Sequence, residues 1–459
     1  MSPLSASTET PAADSTGLAG DSGAAGRDAA LTGVAQRATG LRDGALRLKA
    51  LLDRPLASYY LVLGCSLLLL GVGLMMVLST STAYDLDQGL PAYSMFEKQL
   101  LGAAVGLVLM WLAAKSPPRL FRGFAYPLLL AAIGGLVLVL LFGPYIDGAK
   151  RWLTVAGTQV QPSEFAKLAL VLWGADLLAR KEKLGQLSDW RHILVPLLPG
   201  AALMAMLVMI GKDLGTTFLL LVIFLSLLWV IGAPAKLLVG MVALMAFALL
   251  VLVAVHPYEL ARLTGFVSSS SPSCRSLTCY QLVQGKDALG SGGLFGVGSG
   301  ASRAKWGWVP ESQSDFIFAI LGEELGLVGT LCVVVLYGGL AFAGLRIARR
   351  VPDTFARLAA GAITVWLTVQ ALVNMGAVLG LLPITGVPLP LVSAGLSSLL
   401  VTLIGLGMLM AFARVEPGAR EALAARGPGW PRRVLSWLGL SKRRRLRRRD
   451  KAPKFRDEA

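Results

Sequence analysis

The feature that most limits what this chain can become is a series of long apolar runs without a charge. The first, YYLVLGCSLLLLGVGLMMVLS from Tyr59 to Ser79, contains no Asp, Glu, Lys or Arg. A helix rises about 1.5 Å per residue, so about 20 such residues cross the hydrocarbon core of a bilayer. Of the 459 residues, 55% are hydrophobic and 15% charged, too apolar a mixture for a soluble chain to cover its own surface. Ten spans are expected, near 59–79, 99–114, 123–143, 163–179, 193–210, 214–231, 237–255, 315–345, 358–380 and 389–413. The eighth is too long for a straight crossing and is expected to tilt or run on past the membrane. The expected fold class is all-α, a polytopic membrane protein.

Positive charge sets the expected orientation. Arg47, Lys49 and Arg54 precede the first span, Lys115, Arg119 and Arg122 follow the second, and Arg180, Lys181 and Lys183 follow the fourth. Lys236 follows the sixth, Arg346, Arg349 and Arg350 end the eighth, and KRRRLRRR (Lys442 to Arg449) follows the tenth. All fall on one side if both termini are cytoplasmic. Three segments then lie outside: 80–98, 144–162 and the large loop 256–314. The net charge of +16 is densest in that juxtamembrane tail, where it meets anionic membrane lipids rather than nucleic acid.

Three regions are expected. Residues 1–57 form a cytoplasmic tail rich in Ala, Gly, Ser and Thr and too poor in apolar surface to fold alone. Residues 58–414 form the membrane domain, and 415–459 a basic cytoplasmic tail. No apolar run follows a basic start before Tyr59, so no cleavable signal peptide is expected. No internal repeat of transporter type is visible.

The large loop carries Cys274 and Cys279, spaced C-x4-C. On an oxidising face this pair is a disulfide candidate, with free thiols as the alternative. Zinc would need more ligands, and His192 and His256 lie elsewhere. Cys65 and Cys332 sit in spans as small packing residues.

Charges where lipid or protein is expected mark candidate chemistry. Lys150 and Arg151 lie outside, against the trend of positive charge, and read either as interfacial anchors with Trp152 or as an anion site ahead of a helix N-terminus. Glu164 and Lys167, three apart, share a helix face and suit mutual pairing or substrate contact. Ser163 could cap that helix. Asp213, beside Lys212, reads equally as a helix cap or a site residue. Asp315, at the mouth of the eighth span, satisfies free helix N–H groups in its bland reading. In the sharper one it is a base facing cations that hold a departing anion. Glu323 and Glu324, about 12 Å deeper in a helix, cannot both share its face and read as structural acids or a coupling element. The run Gln284 to Gly300 is Gly-rich but lacks the strand and the Lys-Ser/Thr ending of a nucleotide loop; a flexible loop near substrate is expected. Pro383, Pro388 and Pro390 predict a broken, re-entrant connection before the last span.

GAKRWL, QPSEFAK, DLGTT, YQLVQGKDALGSGGLFGVG, DFIFAILGEELG and GLLPITGVPLPLVSAG occur in that order between about 58 and 417. In them the chain resembles the SEDS family (shape, elongation, division and sporulation), polymerases of peptidoglycan glycan strands. MVLSTSTAYDLD, the Ser-Ala of PLVSAG and AFARVEPGA resemble the division branch more than the elongation branch. Departures are Gln313 and Ser314 where members often have His-Thr, Lys212 for a frequent Pro, and Leu396 for a Gly. The resemblance implies inverting transfer between lipid II molecules at the outer face of a bacterial plasma membrane, at the division septum. Asp315 matches the essential acid, the expected catalytic base on the acceptor's 4-hydroxyl, with undecaprenyl pyrophosphate leaving. The substrate-binding residues it implies are Lys150, Arg151, Gln161, Ser163, Glu164, Lys167, Asp213 and Ser393. Arg151 and Lys167 are expected to stabilise the pyrophosphate, with Glu164 orienting them. No cofactor is expected as certain: Mg or Mn could assist the pyrophosphate, though the sequence shows no dedicated cage. Implied partners are a class B penicillin-binding transpeptidase and other division proteins. The competing readings are a lipid II flippase, an elongation-type polymerase and a scaffold that ignores Asp315.

Overall fold

The computed structural model describes residues 56–146, 148–155, 158–185, 190–255, 277–419 and 421–422. The chain divides into two units, 1–57 and 58–459, and the described elements belong to the second, save the first residue of its first helix. Most of both expected tails, the start of the large loop and Cys274 lie outside the described residues, as does the side chain of Cys279. The disulfide candidate is therefore not described.

In hydrocarbon an unpartnered backbone N–H or C=O costs several kcal/mol, so apolar runs close their bonds internally as helices. Along the described chain these are α1 Ala57–Asp87, α2 Ser94–Lys115, α3 Pro118–Phe142, α4 Pro162–Lys183, α5 Trp190–Leu194, α6 Leu197–Ile210, α7 Leu214–Ile231, α8 Ala235–Val255, α9 Leu277–Ser291, α10 Ile317–Arg350, α11 Thr354–Val378 and α12 Leu396–Ala413. A hairpin, β1 Leu153–Val155 and β2 Thr158–Val160, pairs Leu153 with Val160 and delivers the chain to α4. Among the described residues eight stretches are long and apolar enough to cross a membrane: α1, α2, α3, Arg191–Ile210, α7, α10, α11 and α12. The other two expected spans are helices as well. Charge keeps α4 out of that set, and α8 is apolar over Ala235–Phe247.

The charged α4 sits at the centre. It is buried almost continuously from Pro162 to Ala179 and packs against α3, α7 and α11. α11 also packs on α10, while α12 lies against α2. Large exposed apolar side chains on α2, α3 and the back half of α10, among them Leu101, Leu130 and Val335, form the surface left for lipid.

Two departures from regular helix position the site. α10 is not one rod: it breaks at Gly326, whose φ of 68° and ψ of −165° belong to a region open essentially to glycine alone. A break strands main-chain groups, and the Gly-rich run supplies their partners. Val297 and Gly298 donate to the carbonyls of Glu323 and Glu324 at 2.9 and 3.1 Å. Leu327 and Val328 donate back to Gly293 and Leu294 at 2.9 and 3.2 Å. The backbones approach so closely that a Cβ on Gly326 would meet the nitrogen of Gly296 at 2.4 Å. The expectation of a flexible substrate loop over Gln284–Gly300 is thus corrected: its first part is α9 and its second is a clamp on the break. Glu323 accepts from Ser302 Oγ and Arg303 N at 2.5 and 3.0 Å, and Glu324 from Ser79 Oγ and Lys305 Nζ at 2.5 and 3.4 Å. Both acids pin the same loop, as structural acids do.

The second departure is the irregular run ahead of α12, which begins at Leu396 rather than 389. Much of the run is buried without helical bonds, and side chains from elsewhere take up its carbonyls. Asn374 donates to Val387 O at 2.8 Å, Gln370 to Pro388 O at 2.9 Å, Tyr337 to Pro390 O, and Gln99 to Ser393 O at 3.4 Å. The broken connection expected from its prolines is present.

Candidate active site

The polar residues singled out in the sequence fall into three linked groups. The first surrounds a small cavity lined by Lys150, Arg151, Ser163, Gly211 and Asp213 together with apolar side chains of α3 and α6. Arg151 Nη2 donates to the carbonyl of Lys212, and Lys150 Nζ to that of Leu140 at 3.0 Å. The fit is close: a Cβ on Gly211 would meet Lys150 O at 2.7 Å. Arg151 Nε is buried with no hydrogen-bond partner among the described residues. A buried guanidinium N–H without an acceptor costs free energy.

Asp213 is the cap of α7 and also reaches two of the other predicted residues. One oxygen caps α7 through Thr216 N at 3.1 Å; the other accepts from Gln161 Nε2 at 3.1 Å and Ser163 Oγ at 3.4 Å. Ser163 is not the cap of α4. Gln161 holds that position, with Pro162 as the first helical residue, and Gln161 N donates to Ser397 Oγ at 3.1 Å.

The second group is Glu164 and Lys167. Their charged groups lie 2.8 Å apart, and the lysine is fully buried. Lys167 Nζ also donates to Gln370 Oε1 at 3.1 Å and stands 5.1 Å from the centre of the Trp366 ring. Neither residue lines the cavity. The ammonium of Lys167 is taken up inside the bundle by Glu164, Gln370 and Trp366, and the cations at the cavity are Lys150 and Arg151.

The third group is Asp315 and Ser393. Asp315 is half-buried in the turn before α10, whose N-cap is Phe316 rather than Asp315. Three bonds fix this turn, two from the irregular run and one from α11. Ser393 Oγ donates to Ser314 O at 2.5 Å, Ala394 N to Gln313 O at 3.0 Å, and Asn374 Nδ2 to Asp315 O at 2.9 Å. Ser393 Oγ also accepts from Leu389 N at 2.8 Å, so its hydroxyl is engaged in holding the main chain. Gln370 and Asn374, which link the second group to the third, were not read from the sequence as site residues. The available signal was two amides four apart in an apolar span, which places them on one helix face.

The model of the cell cycle protein family named for FtsW, RodA and SpoVE matches residues 59–417. The chain belongs to this family. A relative from Mycobacterium tuberculosis, named probable peptidoglycan glycosyltransferase FtsW, is 39% identical over 381 residues, covering 83% of this chain and 72% of that one. A chain from a structure of a peptidoglycan synthase complex that coordinates polymerization and crosslinking superposes with a TM-score of 0.64 at 29% identity, over 78% of this chain and 97% of that one. The crystal structure of Thermus thermophilus rod shape determining protein RodA gives a TM-score of 0.56 at 28% identity, over 79% and 98%. The FtsW/RodA/SpoVE assignment agrees with the resemblance carried by the motifs, and the protein is a multi-pass membrane protein of that fold.

Proposed function

We propose that the protein is a peptidoglycan glycosyltransferase that joins lipid II molecules into glycan strands, with Asp315 as general base. Asp315 takes the proton from the 4-hydroxyl of the acceptor's GlcNAc as that oxygen attacks the donor's anomeric carbon. The bond to the diphosphate breaks with inversion, and undecaprenyl pyrophosphate leaves. Lys150 and Arg151 receive its charge. Ser163 and Asp213 shape the cavity wall, Gln161 holds Asp213 in place, and Glu164 with Lys167 braces it from behind. Family membership and the names of relatives support the activity. The observation that carries the assignment of roles is that Lys150 and Arg151 line one cavity together, on a fold whose half-exposed acid at the mouth of α10 has a fixed main chain.

Among the described residues no group of three or more His, Cys, Asp or Glu stands ready to hold a metal. Mg or Mn would therefore be held chiefly by the diphosphate, and no step above depends on it. The reading extends to a class B penicillin-binding transpeptidase as partner, to other division proteins, and to the septal plasma membrane with the site on its outer face.

The test is the purified protein with its transpeptidase partner, given lipid II and assayed for polymer. Asp315→Asn and Asp315→Ala should lower polymerisation at least about 100-fold while still binding the partner. Polymer at the parental rate from Asp315→Asn would overturn the assignment of the base. Lipid II flipping without polymer from the parent would overturn the activity.

A further inference from the structure

The geometry points to Asn374, supported by Gln370, as a positioning residue for glycosyl transfer that acts through the main chain of Asp315. The inference rests on the reading of Asp315 as the base and adds to it a means of holding that base in place.

Asn374 is buried to 2% exposure in the middle of an apolar helix, where a side-chain amide needs partners. Its Nδ2 gives one hydrogen to Asp315 O at 2.9 Å and the other to Val387 O at 2.8 Å. Two carbonyl acceptors dictate which way round the amide lies, since only the nitrogen can serve both. The amide therefore joins the turn carrying Asp315 to the irregular run, two segments that regular secondary structure does not connect. The cost is visible: Asn374 Oδ1 is buried without a hydrogen-bond partner among the described residues. A purely structural bridge gains nothing by leaving that acceptor empty.

Gln370 stands one turn earlier on the same face of α11. Its Oε1 accepts from Lys167 Nζ at 3.1 Å and Trp366 Nε1 at 2.7 Å, while its Nε2 donates to Pro388 O at 2.9 Å. Two successive carbonyls, of Val387 and Pro388, are thus held by two successive turns of α11. Through Gln370 the buried Glu164–Lys167 pair is tied to the same frame as the base. This arrangement gives the intramembrane ion pair a task besides neutralising itself: it anchors the helix from which Asp315 is positioned. A base displaced by about 1 Å can lose about 100-fold in rate, so small loosening here reads out in chemistry.

The experiment measures kcat and KM for lipid II in the complex with the transpeptidase, beside thermal unfolding in detergent. Asn374→Ala should lower kcat about 10- to 100-fold with KM for lipid II within about twofold, and should have no further effect when added to Asp315→Asn. Gln370→Glu keeps the acceptor for Lys167 and Trp366 but takes the donor from Pro388 O. It should lower kcat in the same manner with KM for lipid II within about twofold, and it decides the matter if Asn374→Ala does not fold. If Asp315→Asn polymerises normally, the reading of the base has failed. If Asp315→Asn is inactive while folded Asn374→Ala and Gln370→Glu keep parental kcat, the base stands and the positioning role alone is overturned. Losses in KM and unfolding temperature with kcat preserved would likewise overturn it.

Discussion

A lysine with no exposed surface in a membrane bundle persists only because other groups take up its charge. For Lys167 these are the carboxylate of Glu164, the amide oxygen of Gln370 and the face of Trp366. Removing one member of a buried pair leaves the other charge stranded, at about 3–5 kcal/mol, whereas replacing both by apolar groups of similar volume is often close to neutral. Lys167→Met alone should therefore lower stability by that amount in detergent unfolding, and Lys167→Met with Glu164→Leu should regain most of it. Arg151→Ala should instead leave stability nearly unchanged and raise KM for lipid II, as expected of a group that waits for an anion. The charged candidates were legible in the sequence because charge in an apolar run is conspicuous. Which way each one faces was not, since that depends on helices far off in the chain: Lys167 turns to α11, and Arg151 to the turn after α6.

At the scale of elements, α10 shows where pattern reading stops. Its length and apolar character were plain, and each of the ten expected spans contains a helix. The break at Gly326 was not visible, because a glycine in a membrane helix is ordinary and this one is decided by loop backbone that arrives from residues 293–298. Gly326→Ala should be among the most damaging single substitutions. Its Cβ meets backbone atoms of Gly296 and Leu294 at 2.4 to 2.7 Å, and neither is a flexible side chain that could move aside. The expected outcome is loss of a monodisperse folded peak on gel filtration, with Gly338→Ala, where nothing lies within 4 Å, as the tolerated control. The irregular run before α12 was legible as a break from its prolines, but not the donors that make such a run tolerable.

For the molecule as a whole, the ends of α10 and α12 that lie away from Asp315 meet at Glu416. Burial pushes its carboxyl above the ordinary value of 4.5, while the charges of Arg346 and Arg350 pull it back only in part. An acid whose folded value is raised contributes stability that is present below 4.5 and lost as the pH rises through the raised value. Glu416→Gln should therefore unfold at a higher temperature than the parent at neutral and alkaline pH, and at the same temperature at acidic pH, where the parental carboxyl is protonated in both states.

The carbonyls of Val387, Pro388, Pro390 and Ser393 bear on the order of assembly. Their donors come from α2, α10 and α11, so that run cannot settle into a greasy interior until three separately inserted rods have met. An intermediate lacking any of them leaves bare oxygen dipoles facing oil, and the last crossing is thereby kept from locking onto an incomplete scaffold.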